Sequence, residues 1–125
     1  MLNYARHFID NKDIQQVIKV LKYKNITQGK EVAKFEEILS KNFGAKDVAV
    51  LSNGTAALHL SGIVLGWKPG DVVLTTPITF ASTANSIIYS GATVDFVDID
   101  KNTYNIDINL LEEKIKKYRK KKIKI

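Results

Sequence analysis

The stretch that decides the fold is VAVLSNGTAALHL, residues 48–60. Its first four residues form a continuous apolar run, which is typical of a strand buried on both faces. The next four, Ser52-Asn53-Gly54-Thr55 (the 52–55 turn), are small and polar, and an apolar helical segment follows them. The stretch therefore predicts a buried strand that turns directly into a buried helix.

The flanking sequence extends this pattern in both directions. Apolar spacing predicts a first helix capped by Asp10 or Asn11 and a second from about Glu31 to Gly44. After the 52–55 turn, strands are expected at residues 72–74, 93–97 and 123–125, with helices at 80–89 and 110–118 between them. Alternating strands and helices indicate an α/β fold with a doubly wound, mostly parallel sheet. Because the alternation of strands and helices continues up to Ile125, we expect this chain to be a piece of a larger domain.

Composition excludes several classes of protein. The apolar fraction is 45% and the charged fraction 26%, as in ordinary globular domains. The absence of cysteine excludes disulfides, thiolate metal sites and cysteine nucleophiles. There is no apolar run of membrane-spanning length and no secretory signal pattern. A cytoplasmic location with no membrane partner is the expectation.

The net charge of +6 is concentrated at one end of the chain. Residues 114–125 contain eight Lys or Arg and no acid, which leaves 11 basic and 13 acidic residues in residues 1–113, a net charge of −2. Such a segment could bind a phosphate backbone. A solvated helix end with its cations near the negative end of the dipole is the favoured interpretation, so no nucleic-acid partner is expected.

The 52–55 turn is the first candidate site. Where a strand runs straight into a helix, the free N–H groups of the first turn and the positive end of the dipole face one spot, which suits a phosphate. Gly54 allows close approach, and hydroxyls of Ser52 and Thr55 add donors. The turn lacks the lysine of a P-loop and the G-x-G-x-x-G pattern of dinucleotide sites. The residues alone leave open that Ser52 or Asn53 simply caps the helix.

Three further features have side chains that can take part in binding or catalysis. Phe80 follows the next strand and could lie over a planar ring, although an aromatic at such a position is more often part of the core. The carboxylates of Asp95, Asp98 and Asp100 favour a turn over a metal site, because no histidine or EF-hand spacing accompanies them. His59 is expected to be a core histidine.

A set of short motifs occurs in order along nearly the whole chain. They are TQG at residues 27–29, FE at 35–36, LSNGTAALHL at 51–60, PGD at 69–71, PITFASTAN at 77–85, GA at 91–92 and FVDID at 96–100. Together they resemble the DegT/DnrJ/EryC1/StrS family of sugar aminotransferases. The resemblance implies the aspartate-aminotransferase type fold, three αβα layers of which residues 31–125 would form an incomplete cofactor-binding domain. Residues 1–30 would form a helical arm and a turn near the substrate.

The resemblance implies pyridoxal 5'-phosphate as the cofactor and assigns roles to matching positions. Gly54, Thr55 and the N–H of Ala56 would hold its phosphate, and Phe80 would stack on its ring. Tyr4, Thr27 and Gln28 would lie near the substrate. No metal and no catalytic residue are expected within these 125 residues, because the family's cofactor-binding lysine lies downstream in a context that no lysine here matches. We therefore expect this chain alone to be inactive.

For the complete enzyme, the resemblance implies transfer of an amino group, from glutamate, to a keto-sugar nucleotide. Within the family the chain is most similar to enzymes of pseudaminic acid biosynthesis, which aminate C4 of a UDP-4-keto-6-deoxy-N-acetylhexosamine for surface polysaccharide or flagellin glycans. A homodimer is implied. Two alternatives stay open: a sugar dehydratase of the same fold, and a non-catalytic binding module that uses the basic tail.

Overall fold

The computed structural model describes residues 5–125, which form two compact units that divide between Val50 and Leu51. The first unit contains helices α1 (Asn11–Tyr23) and α2 (Lys30–Phe43). The second contains, in chain order, α3 (Gly54–Val64), β1 (Val72–Thr75), α4 (Ala81–Tyr89), β2 (Thr93–Phe96) and α5 (Ile108–Lys120). The sequence-based division into a helical arm (residues 1–30) and a cofactor-binding domain (residues 31–125) stays a prediction. The two compact units do not show which residues belong to a cofactor-binding domain.

The helices of the first unit begin and end where the sequence predicts. Asp10 caps α1, and its side chain accepts hydrogen bonds from the N–H groups of Lys12 at 2.7 Å and Asp13 at 3.0 Å. The Asp13 carboxylate accepts the Asp10 N–H at 3.0 Å, which completes a capping box. Gly44 ends α2 in the left-handed conformation, at φ 63°, where a side chain would be strained.

The strand expected at residues 48–51 is absent, and this prediction was wrong. The segment is irregular, and Leu51 is exposed. A strand is stabilised by ladder hydrogen bonds to a neighbour, and among the described residues this segment has no such neighbour. Its Val50 N–H instead donates to the Glu36 carboxylate at 2.9 Å.

The second unit is built on two parallel strands with a helix between them. Strand β1 pairs with β2 in a register that places Val72 opposite Thr93 and Thr75 opposite Phe96. Helix α4 connects them and packs on both. The core is small and lies under this helix, with Val72, Ile87, Ala92 and Val97 buried. The α/β architecture with parallel strands is therefore confirmed.

Helices α3 and α4 pack against each other because Gly62 leaves room between them. A Cβ at Gly62 would come within 2.5 Å of the Trp67 ring and 2.6 Å of the Ser90 hydroxyl. One turn earlier, His59 meets Tyr89 edge to face with ring centroids 5.6 Å apart. His59 is thus half-buried beside Tyr89 and does not lie in the core as expected.

The remaining apolar surface of α3 is exposed, which the expectation of a buried helix did not anticipate. Gly62 is its one buried residue, and Val64 is 79% exposed. A helix that is apolar nearly all round normally packs on several sides. Within the second unit α3 packs against α4, so one side of the helix is covered.

The fourth strand expected at residues 123–125 is also not formed. One ladder-like hydrogen bond is present, from the Val72 N–H to the Lys124 carbonyl at 2.9 Å. The Lys124 ammonium lies 3.3 Å from the buried Asp71 carboxylate. The segment therefore lies beside the start of β1, but a single hydrogen bond does not make a strand.

Helix α5 is held to β2 by a cluster of three polar side chains. Asp95 accepts hydrogen bonds from the Lys114 ammonium at 2.8 Å and the Tyr118 hydroxyl at 2.6 Å. Partial burial alone would raise the pKa of Asp95, but these bonds and the Phe96 N–H outweigh it and lower the pKa. The same bond to Asp95 raises the pKa of Tyr118. None of the described helices is long and apolar enough to cross a membrane.

The Asp95 cluster predicts a pH-dependent contribution to stability. Because the folded pKa of Asp95 is lowered, its contribution is present above the unfolded value of about 3.9 and is lost as pH falls through the folded value. At pH 7 we expect Asp95→Asn to reduce the free energy of unfolding by about 1–2 kcal/mol, measured by urea denaturation. The loss should shrink towards pH 3.

Glu112→Gln is the matched control, because Glu112 pairs with Lys116 on the exposed face of the same helix. We expect it to change stability by less than about 0.5 kcal/mol. An Asp95→Asn loss of the same size at pH 3 and pH 7 would contradict the proposed role of the charge.

Candidate functional site

The 52–55 turn forms the N-terminal end of α3, as the sequence predicts. Asn53 is the N-cap, in an extended conformation, and its side-chain oxygen accepts the Ala56 N–H at 2.9 Å. The Asn53 carbonyl accepts the Ala57 N–H at 3.2 Å and so begins the helical hydrogen bonds. The capping role that the sequence left open for Asn53 is therefore present.

Two backbone donors at this helix end are left free. Among the described residues, no acceptor lies within hydrogen-bond reach of the Gly54 or Thr55 N–H groups. A Cβ at Gly54 would meet no atom within 4 Å, and Ser52, Asn53 and Gly54 are exposed. An anion can therefore approach two unpaired donors at the positive end of the α3 dipole.

Phe80 lies at the corresponding position of the next helix. It is the N-cap residue of α4 and is 78% exposed, so the alternative that it belongs to the core was wrong. The chain reaches it from the carboxyl end of β1 through Pro77, Ile78 and Thr79, all exposed. The Phe80 ring is therefore available to a planar ligand.

The free N–H groups and the Phe80 ring lie at matching ends of two packed helices. The C-terminal ends of α3 and α4 are side by side, where Gly62 approaches Ser90. The two helices pack against each other within the second unit. The N-terminal end of α4 follows the carboxyl end of β1, which is where ligands bind in α/β sheets.

The residues expected near the substrate lie in the first unit or outside the described residues. Thr27 and Gln28 are exposed in the turn between α1 and α2, and Gln28 has a left-handed φ of 52°. Gly29 is required there, because a Cβ would come within 2.4 Å of the Asn25 carbonyl oxygen. Tyr4 lies outside the described residues.

The aspartate cluster forms turns, as expected. The Asp100 carboxylate accepts the N–H groups of Thr103 at 2.8 Å and Asn102 at 2.9 Å, and these bonds lower its pKa. Asp95 faces α5, while Asp98 bonds the N–H of Ile99 at 2.8 Å. The three carboxylates thus serve separate backbone and side-chain donors.

Comparison with solved structures gives the class of protein. PseC of Helicobacter pylori, an aminotransferase involved in the biosynthesis of pseudoaminic acid, matches with a TM-score of 0.80 and 35% identity over 89% of this chain and 30% of that one. Spr1654 of Streptococcus pneumoniae, in its PLP form, matches with a TM-score of 0.82 and 31% identity, over 90% of this chain and 29% of that one. The fold is that of the fold-type I PLP-dependent aminotransferases.

Sequence comparison narrows the class to a family. The model of the DegT/DnrJ/EryC1/StrS aminotransferase family matches residues 7–124, and the chain belongs to this family. A Campylobacter jejuni relative, UDP-4-amino-4,6-dideoxy-N-acetyl-beta-L-altrosamine transaminase, is 46% identical over 117 residues, covering 94% of this chain and 31% of the relative. The chain spans about a third of the length of such relatives.

Two groups of side-chain contacts were not predicted from the sequence. The Glu36 carboxylate accepts the Val50 N–H; Glu36 belongs to the FE motif at residues 35–36, but its role depends on which backbone group it meets. The Asp95, Lys114 and Tyr118 cluster was also missed, because its members are separated by 19 and 23 residues. The helical spacing of Lys114 and Tyr118 was its only signal.

The Asn53 cap predicts a measurable difference between neighbouring side chains. We expect Asn53→Ala to lower the free energy of unfolding by about 1 kcal/mol, because the Ala56 N–H loses its acceptor. Ser52→Ala is the control, since within the described part of the chain the one hydrogen bond of the Ser52 hydroxyl is a long one, accepted from the Asn53 amide at 3.3 Å. Urea denaturation of the two variants makes the comparison, and equal losses would argue against the cap.

Proposed function

We propose that these residues form the cofactor-phosphate part of a PLP-dependent nucleotide-sugar aminotransferase. The observation that carries the proposal is that the Gly54 and Thr55 N–H groups, at the start of α3, have no acceptor within residues 5–125. A phosphate dianion satisfies such donors and interacts favourably with the helix dipole. The Thr55 hydroxyl would add a third donor.

The residues fit the cofactor in two further respects. The open space at Gly54 lets phosphate oxygens approach the backbone, and the exposed Phe80 ring offers a face for the pyridine ring. The Ala56 N–H, expected to bind the phosphate, is held by Asn53. We propose that Ala56 joins the site only where the Asn53 side chain turns away.

Pyridoxal phosphate, when bound, supplies an aldehyde and an electron-withdrawing ring for amino transfer. The role of this chain's residues is to bind and orient. Gly54 and Thr55 would fix the phosphate end, and Phe80 would fix the plane of the ring. Two anchors at opposite ends of a flat molecule set its orientation, which positions its reactive carbon for partners elsewhere in the enzyme.

We further propose that the whole enzyme transfers an amino group, with glutamate as donor, to a keto-sugar nucleotide. The support is the family membership together with the names of relatives, such as the UDP-4-amino-4,6-dideoxy-N-acetyl-beta-L-altrosamine transaminase of Campylobacter jejuni. Thr27 and Gln28, and Tyr4 before them, would contact the substrate. A homodimer in the cytoplasm is part of the same proposal.

Turnover needs a lysine that binds the cofactor covalently and moves a proton. None of the lysines in these residues occurs in the context that the family uses. The proposal therefore assigns binding to this part of the enzyme and chemistry to a lysine further along the family's sequence.

The test compares two ligands that differ only in the phosphate. Pyridoxamine 5'-phosphate and pyridoxamine carry an amine in place of the aldehyde, so neither reacts with the chain's many lysines. We expect the phosphate form to bind at least about tenfold more tightly, and Thr55→Ala to reduce that preference by about three- to tenfold. Calorimetry or quenching of Trp67 fluorescence measures both affinities.

Phe80→Leu tests the ring contact in the same assay. We expect it to weaken both ligands alike, by about three- to tenfold, because stacking does not involve the phosphate. Phe43→Leu is the matched control, since Phe43 and Phe80 are each 78% exposed. Equal affinity of the unaltered chain for the two ligands would refute the phosphate site.

A further inference from the structure

We propose that Thr79 and Thr83 are positioning residues for the Phe80 ring. Their hydroxyl oxygens lie 2.9 Å apart and share a hydrogen bond across the first turn of α4, the helix of which Phe80 is the N-cap residue. The inference rests on the proposed function, because it concerns how the ring is presented to a planar cofactor. Neither threonine is proposed to touch the cofactor.

The chain that follows Phe80 is held by the packing of the second unit. Ser82 and Ser86 on α4 are buried, and the Ser86 hydroxyl donates to the Thr83 carbonyl at 2.8 Å. The Thr83 N–H in turn donates to the Phe80 carbonyl at 3.0 Å. Thr83 is therefore a fixed point within the first turn of the helix, to which a preceding residue can be anchored.

The connection between β1 and α4, residues 76–79, is held by fewer contacts. Its last three residues are exposed, and among the described residues no backbone–backbone hydrogen bond involves any of the four. The Thr76 hydroxyl donates to the Ile78 carbonyl at 3.3 Å, a bond that stays within the connection. The bond between Thr79 and Thr83 is the one that joins the connection to the helix.

The direction of the Phe80 ring depends on this junction. The ring is 78% exposed, so packing does not fix it, and no side chain caps the N-terminal end of α4. Its direction follows from the backbone at Phe80, which is extended with φ −69° and ψ 143°, because backbone angles decide the allowed rotamers. A bond between Thr79 and Thr83 spans Phe80 and restrains those angles, and stacking on a planar ligand requires a defined ring orientation.

The experiment uses the 125-residue chain with pyridoxamine 5'-phosphate and pyridoxamine as probes. We expect Thr79→Val to weaken both probes alike, by about two- to fivefold, because the hydroxyl bond is lost and the phosphate contact is not involved. Thr83→Val removes the same bond, so the double variant should lose no more affinity than either single variant. Thr79→Ser keeps the hydroxyl and should restore both affinities to within about twofold. Thr83→Val also serves if Thr79→Val does not fold.

A double-mutant cycle with Phe80→Leu separates positioning from a general structural role. If Thr79 acts through the ring, Thr79→Val should have no further effect on affinity in the Phe80→Leu chain. A merely structural role would weaken binding to the same extent in both backgrounds. Thr93→Val is the matched control, because it removes a hydroxyl from an exposed residue of β2. Its affinities for both probes should equal those of the unaltered chain.

The outcomes separate this inference from the proposed function. If Phe80→Leu weakens both probes and Thr79→Val weakens neither, the role of the hydroxyl pair is overturned and the ring contact stands. Equal losses from Thr79→Val with and without the Phe80 ring would also overturn that role. If Phe80→Leu leaves both affinities unchanged, or if the unaltered chain binds neither probe, the proposed ring contact and this inference fail together.

Discussion

The constraint on which the structure's function depends is that a helix leaves its first backbone N–H groups without partners. In α3 one of these donors, on Ala56, is satisfied by Asn53, while those of Gly54 and Thr55 have no acceptor in the part of the chain that the structure describes. Because Gly54 has no side chain over them, the donors stay open to a phosphate. Phe80, at the start of the helix that packs beside α3, adds the aromatic surface. The cofactor site proposed for this part of the enzyme follows from those two helix ends.

Local signals predicted the local structure well. The capping box at Asp10 and the left-handed Gly44 were readable because caps depend on side chains within a few residues. The failures concern elements whose stability depends on distant partners. Residues 48–51 have the composition of a buried strand but no neighbour to pair with among the described residues, and residues 123–125 make one ladder-like bond to β1. An apolar run shows that a segment can be buried. Whether it is buried depends on which other elements the fold places beside it.

The candidate site was predictable in its residues and not in its details. The 52–55 turn followed from helix-terminus physics and from the family resemblance, and Phe80 from the resemblance and its place after β1. Which N–H groups are free could not be read from sequence, since Asn53 and Ser52 were equally plausible caps. Glu36 could not be assigned either, because its acceptor role depends on the path of a chain 14 residues away. Long-range contacts of this kind carry no local pattern.

The central claim is that the free donors of Gly54 and Thr55 bind the cofactor's phosphate. Titration of the isotopically labelled chain with pyridoxamine 5'-phosphate, followed by amide NMR, tests it most directly. We expect large, saturable shifts of the Gly54 and Thr55 amide resonances with pyridoxamine 5'-phosphate and no such shifts with pyridoxamine. Shifts confined to the lysine-rich residues 114–125, with the Gly54 and Thr55 resonances unchanged, would contradict the claim. They would indicate that the basic segment is the anion-binding surface.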